Sequence, residues 1–430
     1  MNNILFTHVR VINPFGDPEF IESGSVAVSD GIIQSVNNHP DDDSYPGTKI
    51  CMKGKTVIPG MINAHTHLYS SLALGMPPPT KNPVNFPEKL KSVWWKLDRA
   101  LDKESTQSSY KIGLLNSIKN GVTTVIDHHS SQEYIDGSLK QLFNIASQFG
   151  IRISSAFEIS EALDENLSAV QYYNDSPEIY PMVGLHASFT LSDKSLKVIA
   201  DEINNLENTG IHIHVAEDIA DERDAKMKGY HSVIQRLMKF KLLNEHSLIV
   251  HGIHMEPTDI DLLTKSGTSL VHCPTSNANN RVGGLAMQTM ARIGTGLGTD
   301  GMQTNMLCEA KEGTLIKSAS LPGGVESVNY LSLLFRNNPM IAQRLFNKKI
   351  GKLENGYTAD LVFFEYDPAT DLNSSNWLAH VLFGFGLPSD VISNGVFLLK
   401  DHKLVNIDET EIKNEARKDS LRLWEKMRNI

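Results

Sequence analysis

The chain has 430 residues, of which 40% are hydrophobic and 21% charged, and this is the composition of a globular protein with a large core. Its net charge of −10 and the lack of a basic cluster give no support for nucleic-acid binding. The chain contains no run of 18 apolar residues, so its sequence predicts no membrane-spanning helix.

The first residues and the cysteines indicate a compartment. Residues 1–6 lack the basic region and the apolar region of a signal peptide. Cys51, Cys273 and Cys308 are scattered, and a sparse, odd number of thiols is typical of a reducing environment. We therefore expect a cytoplasmic protein.

Short apolar runs separated by turn residues begin the chain, and they predict β-strands. These runs are residues 4–6, 9–12, 25–28 and 31–36. Asp30-Gly31 separates the last two runs and predicts a hairpin.

From about residue 57, apolar runs of strand length alternate with amphipathic stretches that predict helices, such as residues 105–120, 138–148, 192–205 and 231–243. Several of those stretches end in glycine or asparagine, as helices often do, for example at Asn120-Gly121. Eight strands alternating with helices predict an α/β fold of the (β/α)8 TIM barrel type. The eight runs are residues 61–64, 122–126, 151–157, 182–185, 211–215, 247–250, 269–271 and 295–298.

Beyond the eighth run, residues 306–347 read as helical, and strand patterns then return at 359–364 and 390–400. Asn394-Gly395 predicts another hairpin. The strand patterns at both ends of the chain can pair into one small discontinuous domain. The predicted domains are residues 1–57 with 350–405, the barrel at 58–349, and a C-terminal helix at 406–430.

Polar residues stand at the ends of four predicted strands, where such barrels carry their working residues. Strand one delivers His65 and His67, strand five His214, strand six His251 and strand eight Asp300. Each motif alone is ambiguous, because a His-x-His pair arises by chance and Gly-Thr-Asp-Gly is common in turns. Together they predict a metal site for Zn(II) or Fe(II), since these groups are costly to desolvate without a metal or hydrogen bonds.

Three further histidines are less informative. His212 shares a face with His214 one layer deeper, which favours a buried core residue. His128 and His129 follow strand two, and both pocket lining and core packing stay open for them. Trp94-Trp95 lie on a predicted helix and indicate core or lid packing.

With residues 59–67, His214, Glu217, His251 and Asp300 in place, the chain resembles the amidohydrolase superfamily, specifically its cytosine-deaminase and chlorohydrolase-like branch. Residues 350–362 are similar to the segment by which the chain of that family passes from the barrel back to its β-sandwich. The resemblance therefore implies a barrel with a small discontinuous β-sandwich domain built from both termini. More narrowly, the chain resembles SsnA-type aminohydrolases, which are associated with selenium-dependent purine catabolism. The narrower match lies in residues 94–101, 120–129, 184–190, 214–218 and 378–385.

The resemblance implies a ligand set. His65, His67, His214 and Asp300 would hold one divalent ion, zinc or iron, and a water molecule would complete the site. Binuclear relatives carry a carboxylated lysine at the end of strand four. His186 stands there in this chain, which argues for one metal ion rather than two.

The resemblance also implies catalytic roles. Glu217 would carry protons, His251 would hydrogen-bond the activated water, and Asp300 would serve as a base as well as a ligand. His186 would contact the substrate.

The predicted function is hydrolysis of a C–N bond in a small N-heterocycle. The narrower resemblance implies that this heterocycle is derived from a purine. Exocyclic deamination and ring-opening hydrolysis both stay open, with dechlorination as a minor variant. A rival from another class is a non-catalytic assembly subunit of the same fold, although such relatives typically lose metal ligands that are all present here. The expected partner is a small heterocyclic molecule, with no nucleic acid or membrane, and the resemblance implies a homo-oligomer.

Overall fold

The structure is a computed structural model that describes residues 3–39, 44–159, 163–173, 176–320 and 329–430. Two bodies of strands organise it, a parallel barrel and an antiparallel-rich sheet built from both ends of the chain. Helices cover the barrel, and among those described none combines the length and the apolar composition that a membrane span requires.

The barrel strands pair in parallel in the order of the chain. The third and fourth strands are each interrupted, so that Arg152–Ser155 pairs with Ile179–Pro181 and Glu158–Ile159 pairs with Val183–Ala187. The complete set is Met61–Thr66, Val122–Asp127, Arg152–Ser155, Glu158–Ile159, Ile179–Pro181, Val183–Ala187, Ile211–Val215, Leu248–His251, Ser269–His272 and Gly296–Leu297.

The eighth strand closes the barrel against the first. The backbone N–H groups of Thr299 and Asp300 donate to the carbonyl oxygen of His65 at 2.9 and 3.0 Å. Asp300 also forms a parallel bridge with Thr66. Gly298 permits this approach, because a Cβ there would lie 2.8 Å from the Cβ atom of His65. The predicted (β/α)8 barrel is confirmed.

Local sequence signals explain where helices begin and end. Asp102 forms a capping box with Ser105, so the helix predicted at 105–120 begins at Lys103. The helix predicted at 231–243 is Val233–Lys239, and it ends shortly before Lys241, whose φ is positive. The helices that surround the barrel are Lys103–Lys119, Ser138–Phe149, Leu163–Tyr173, Asp193–Ile203, Ile219–Met227, Val233–Lys239, Pro257–Ser266, Pro274–Asn280, Met287–Ile293, Met306–Ser320, Tyr330–Ser332, Leu333–Asn337 and Asn338–Phe346. Within the stretch predicted as helical at 306–347, residues 321–328 lie outside the described part.

Shorter helical segments follow the first barrel strand. They are Leu68–Ala73, Phe86–Lys89, Leu90–Trp94 and Trp95–Ala100. The remaining ones are Ser188–Thr190, Trp377–Phe383 and the C-terminal helix Glu409–Asn429. That last helix packs on Lys103–Lys119, where the hydroxyl of Ser108 donates to Asp419 at 2.5 Å.

Nine strands from both termini form the second body. Its two halves meet where Lys55–Pro59 pairs antiparallel with Leu361–Glu365. Apolar side chains of both halves share a core, in which the rings of Phe6 and Phe363 lie 5.3 Å apart. A small β domain built from both termini is therefore present, while its predicted boundaries at residues 57, 350 and 405 stay predictions. The strands are Asn3–Ile12, Phe20–Ser29, Ile32–Asn37, Thr48–Cys51, Lys55–Pro59, Leu361–Glu365, Asp390–Ser393, Val396–Lys400 and Lys403–Leu404.

Arg152 ties this sheet to the barrel. Its side chain is fully buried, and its guanidinium lies 2.8 Å from both Asp360 and Glu178. Removal of one partner from such a buried pair typically costs about 3–5 kcal/mol, because the remaining charge loses its compensation. The ion pair therefore holds the start of the third barrel strand against the terminal sheet.

Candidate active site

The first barrel strand places two imidazoles at its C-terminal end. Alternate side chains of a strand share a face, so His65 and His67 point in the same direction. Their ring centroids lie 4.8 Å apart. His214, at the end of Ile211–Val215, completes a cluster in which one ligand atom from each histidine lies within 4.8 Å of the others.

Two histidines of this cluster are fixed in the same tautomer. His67 Nδ1–H donates to the carbonyl oxygen of His128 at 2.7 Å, and His214 Nδ1–H donates to that of His186 at 2.8 Å. In the neutral form of each ring Nε2 is then the atom with the lone pair, and the two Nε2 atoms lie 3.2 Å apart. Imidazoles oriented by a backbone carbonyl in this way are typical of metal ligands.

His65 offers a direct test of whether a metal ion fits. Its Nδ1 atom lies 2.9 Å from His212 Nε2, while its own Nε2 atom is buried and has no hydrogen-bond partner. A buried polar atom left without a partner costs about 1–3 kcal/mol. Burial lowers the pKa of His65 to about 4, so its imidazole is neutral and can bind a cation. The residues present fit a divalent ion.

Asp300 joins the cluster from the eighth strand. Its Oδ1 atom lies 2.9 Å from His67 Nε2 and 3.6 Å from His65 Nε2. Its Oδ2 atom accepts a hydrogen bond from the Ser276 hydroxyl at 2.6 Å. Burial alone would raise the pKa of Asp300, but the imidazoles of His65 and His67 hold that pKa well below its usual range. The carboxylate is therefore ionised.

His251 points its Nε2 atom toward Glu217 and Asp300. Its Nδ1–H donates to the side-chain oxygen of Asn277 at 2.8 Å, and the amide nitrogen of Asn277 lies 3.2 Å from His272 Nδ1. The Nε2 atom of His251 is thus left with its lone pair, 3.5 Å from Glu217 Oε2 and 4.0 Å from Asp300 Oδ2.

Glu217 follows His214 by three residues along the chain and lies beside His251. Its Oε1 atom accepts from the amide nitrogen of Asn280 at 3.1 Å. Lys89 in turn donates to the side-chain oxygen of Asn280 at 2.8 Å, which fixes the orientation of that amide. Burial raises the pKa of Glu217. A carboxyl group with a raised pKa can both hold and release a proton.

These groups line one cleft. The short helical segments after the first strand contribute Phe86, Leu90, Trp94 and Trp95 to its lining. His186, at the end of Val183–Ala187, also lines it, and burial lowers the pKa of His186 to about 4. An apolar and aromatic lining with a few polar groups is typical of sites for small molecules.

The structure brings the predicted site residues together in one place, and their roles stay predictions. His212 is fully buried beneath His65, as the sequence indicates. His128 and His129 are also fully buried, and neither side chain lines the cleft in the described part of the chain. The structure therefore places this pair in the core. The residues brought together are His65, His67, His186, His214, Glu217, His251 and Asp300.

Sequence reasoning missed several residues of the site. Glu158 follows an apolar run, which is the same strand-end signal that identified the histidines. Ser276 and Asn280 are four residues apart on Pro274–Asn280, so they share a helix face, and that spacing could have been noticed. Asp98 gave no signal, because its segment reaches the cleft only through tertiary folding.

A family model described as the amidohydrolase family matches residues 56–396. Among curated proteins, the 5-methylthioadenosine/S-adenosylhomocysteine deaminase of Pelotomaculum thermopropionicum is 28% identical over 442 residues, which cover 98% of this chain and 99% of that protein. The 5'-deoxyadenosine deaminase of Methanocaldococcus jannaschii is 25% identical, with 85% and 88% covered.

Among solved structures, a zinc-bound adenosine deaminase from Xanthomonas campestris superposes with a TM-score of 0.82 at 21% identity, covering 100% of this chain and 99% of that one. At this level of identity the likeness supports the fold.

Proposed function

Because the chain belongs to the amidohydrolase family, we propose that it is a metal-dependent hydrolase that releases ammonia from a purine-derived heterocycle. One observation carries the proposal. The Nε2 atoms of His67 and His214 face each other with their tautomers fixed by backbone carbonyls, and Glu217 and His251 stand beside them. This arrangement combines a cation site with groups that can move protons.

The cation would be held by His65, His67, His214 and Asp300. Imidazole nitrogen and carboxylate oxygen suit Zn(II) and Fe(II) alike, and the zinc in a solved deaminase of this fold favours zinc. A bound divalent ion supplies Lewis acidity, which allows water to lose a proton near neutral pH.

Asp300 and His251 would orient the attacking water and receive its proton. Asp300 Oδ2 and His251 Nε2 are both acceptors and lie 4.0 Å apart, so a water molecule beside them can donate to each. Ser276 and Asn277 hold these two acceptors in place. The proton of the attacking water passes to the Asp300 carboxylate as its oxygen bonds to the ring carbon.

Glu217 would carry protons on the side of the substrate. Its carboxyl group donates a proton to the ring nitrogen next to the attacked carbon, which relieves the negative charge that develops there. The proton held by Asp300 then passes to the amino group, which leaves as ammonia, and the remaining hydroxyl proton returns to Glu217 as the oxygen becomes a carbonyl. Burial raises the pKa of Glu217, which favours the protonated form that this role requires.

The substrate class follows from the relatives and from the cleft. Both curated relatives are named as deaminases of adenosine derivatives, and one solved structure of this fold is a guanine deaminase with bound guanine. Aromatic and apolar side chains line the cleft beside the polar groups, as a flat heterocycle requires.

Incubation of the zinc-loaded protein with adenine, adenosine, 5'-methylthioadenosine and guanine tests the proposal. We expect at least one of these to yield one ammonia per molecule consumed, with the ultraviolet spectrum of an intact oxopurine. The measurement is coupled ammonia detection with chromatography of the product.

Two other outcomes would overturn this assignment. Loss of the ring absorbance without ammonia would indicate ring-opening hydrolysis. A protein that binds no metal and turns over none of these four compounds would indicate a non-catalytic assembly subunit.

A further inference from the structure

Two carboxylates that the proposed reaction does not use line the cleft. Asp98 lies on Trp95–Ala100 and is 3% exposed. Glu158 begins the upper part of the third barrel strand, and its side chain is 18% exposed. Both belong to the lining of the cleft that contains His214 and Glu217.

In the described part of the chain, neither carboxylate forms an ion pair with a lysine or an arginine. The Oδ1 atom of Asp98 is buried without a hydrogen-bond partner. The imidazole nearest to Glu158 is His186, with its Nδ1 atom 3.9 Å from Glu158 Oε1, and burial lowers the pKa of His186 to about 4, so it is neutral. Among the described residues that line the cleft, none is a lysine or an arginine.

The two groups also disfavour each other as anions. Burial and the neighbouring Glu158 raise the pKa of Asp98 well above its usual range, and burial raises the pKa of Glu158 to about 7. Buried carboxylates of this kind are normally compensated by a cation or by several hydrogen-bond donors. Without such partners the carboxyl groups tend to hold protons, and a cationic ligand between them would displace those protons and pair with the carboxylates.

The surrounding side chains suit a cationic ligand as well. Tyr69, Trp94 and Trp95 line the same cleft. Aromatic faces attract cations through the negative potential above the ring, and tryptophan does so most strongly. The same surroundings repel an anion, because no positive side chain would meet it.

We propose that Asp98 and Glu158 form a subsite for a cationic nitrogen group, an amine or an amidine, on the substrate away from the carbon that loses ammonia. The proposal deepens the proposed function, on which it rests for the reacting end of the substrate. The substrate is then a purine derivative with a basic nitrogen group and without a phosphate. A ligand with two neutral hydroxyl groups would also donate hydrogen bonds to these carboxylate oxygens, but it would add no positive charge. Probes of matched shape and different charge distinguish these two kinds of ligand.

A binding experiment tests the subsite without any turnover. Calorimetric titration of the zinc-loaded full chain compares benzamidine, benzamide and benzoate, which have nearly the same shape and differ in charge. We expect benzamidine to bind at least about tenfold more tightly than benzamide, which is the effect of one partly desolvated charge pair. The Asp98→Asn and Glu158→Gln variants should each reduce this preference, and the double variant should abolish it.

Asp201→Asn is the matched control, because Asp201 is an exposed carboxylate paired with Lys197 on a surface helix. It should leave the preference unchanged. Equal affinity of the wild-type chain for benzamidine and benzamide would overturn the proposal. So would a benzamidine preference that survives in the Glu158→Gln variant with unchanged melting temperature, and that variant decides the matter if Asp98→Asn does not fold.

A kinetic experiment then tests the substrate class. Adenosine, 5'-amino-5'-deoxyadenosine and adenosine 5'-monophosphate present a neutral, a cationic and an anionic group on one scaffold. We expect kcat/KM to be about tenfold higher for the amine than for adenosine and lowest for the monophosphate. Glu158→Gln should lower kcat/KM for the amine about tenfold more than it lowers kcat/KM for adenosine.

An equal loss for adenosine and the amine in that variant would contradict a subsite for a cation. Release of ammonia from none of the three compounds would refute the proposed function alone, because the benzamidine titration still decides whether the subsite binds cations.

Discussion

Replacement of Glu217 by glutamine is expected to lower kcat about 10²–10⁴-fold while the protein keeps its metal, because an amide cannot carry the proton that a general acid must deliver. Glutamine retains the size of the side chain and one oxygen that can accept from Asn280. Steady-state kinetics together with elemental analysis of the purified variant measures both quantities.

Glu365→Gln is the matched control, since that carboxylate lies on an exposed position of the terminal sheet. The control should keep both kcat and metal content. Loss of metal in Glu217→Gln would make this residue a ligand instead of a proton carrier, and an unchanged kcat would remove it from the mechanism.

Replacement of His214 by alanine is expected to empty the metal site and reduce turnover to background. The variant loses one of the nitrogen atoms that would bind the metal, together with its contact with His67 Nε2. Loss of a residue that merely supports a ligand typically costs 10–100-fold in metal affinity, so loss of the ligand itself should cost more than about 100-fold. Competition with a zinc chelator measures the affinity.

His212→Asn gives the intermediate case in the same assay. It removes the contact of 2.9 Å that His212 Nε2 makes with His65 Nδ1, and an effect of about 10–100-fold on metal affinity is expected. His402→Ala, at an exposed position, is the neutral control. Wild-type metal affinity in His214→Ala would contradict the ligand assignment.

The barrel and the metal cluster were predictable because both depend on short-range patterns. His65 and His67 are two residues apart on a strand, so their common direction follows from the strand itself. The parallel barrel then brings the ends of distant strands to one rim, which places His214, His251 and Asp300 near them.

Features that depend on tertiary contacts were beyond the sequence pattern. Asp98 lies on a short helix after the first strand, and its neighbour Glu158 is on the third strand, so no spacing in the sequence relates them. The eighth strand has two residues, Gly296–Leu297, and its closure depends on hydrogen bonds to the His65 carbonyl rather than on an apolar run. The interruptions of the third and fourth strands likewise left no trace in their apolar patterns.

The support around the site also arises from the fold. Asn280 fixes Glu217 only because Pro274–Asn280 begins directly after the seventh strand and turns back over the cluster. Asn277 fixes His251 from the same helix. Both asparagines look like ordinary polar residues of a short helix until the barrel places that helix beside the strand ends.

The central claim is that one divalent ion, held by three histidines and Asp300, is needed for release of ammonia. The most direct measurement is a titration of the chelator-treated, metal-free protein with zinc while ammonia release from the best substrate of the panel is followed. We predict no turnover without metal and a linear rise that reaches its plateau at one zinc per chain. A plateau at two zinc ions per chain, or full turnover by the metal-free protein, would contradict it.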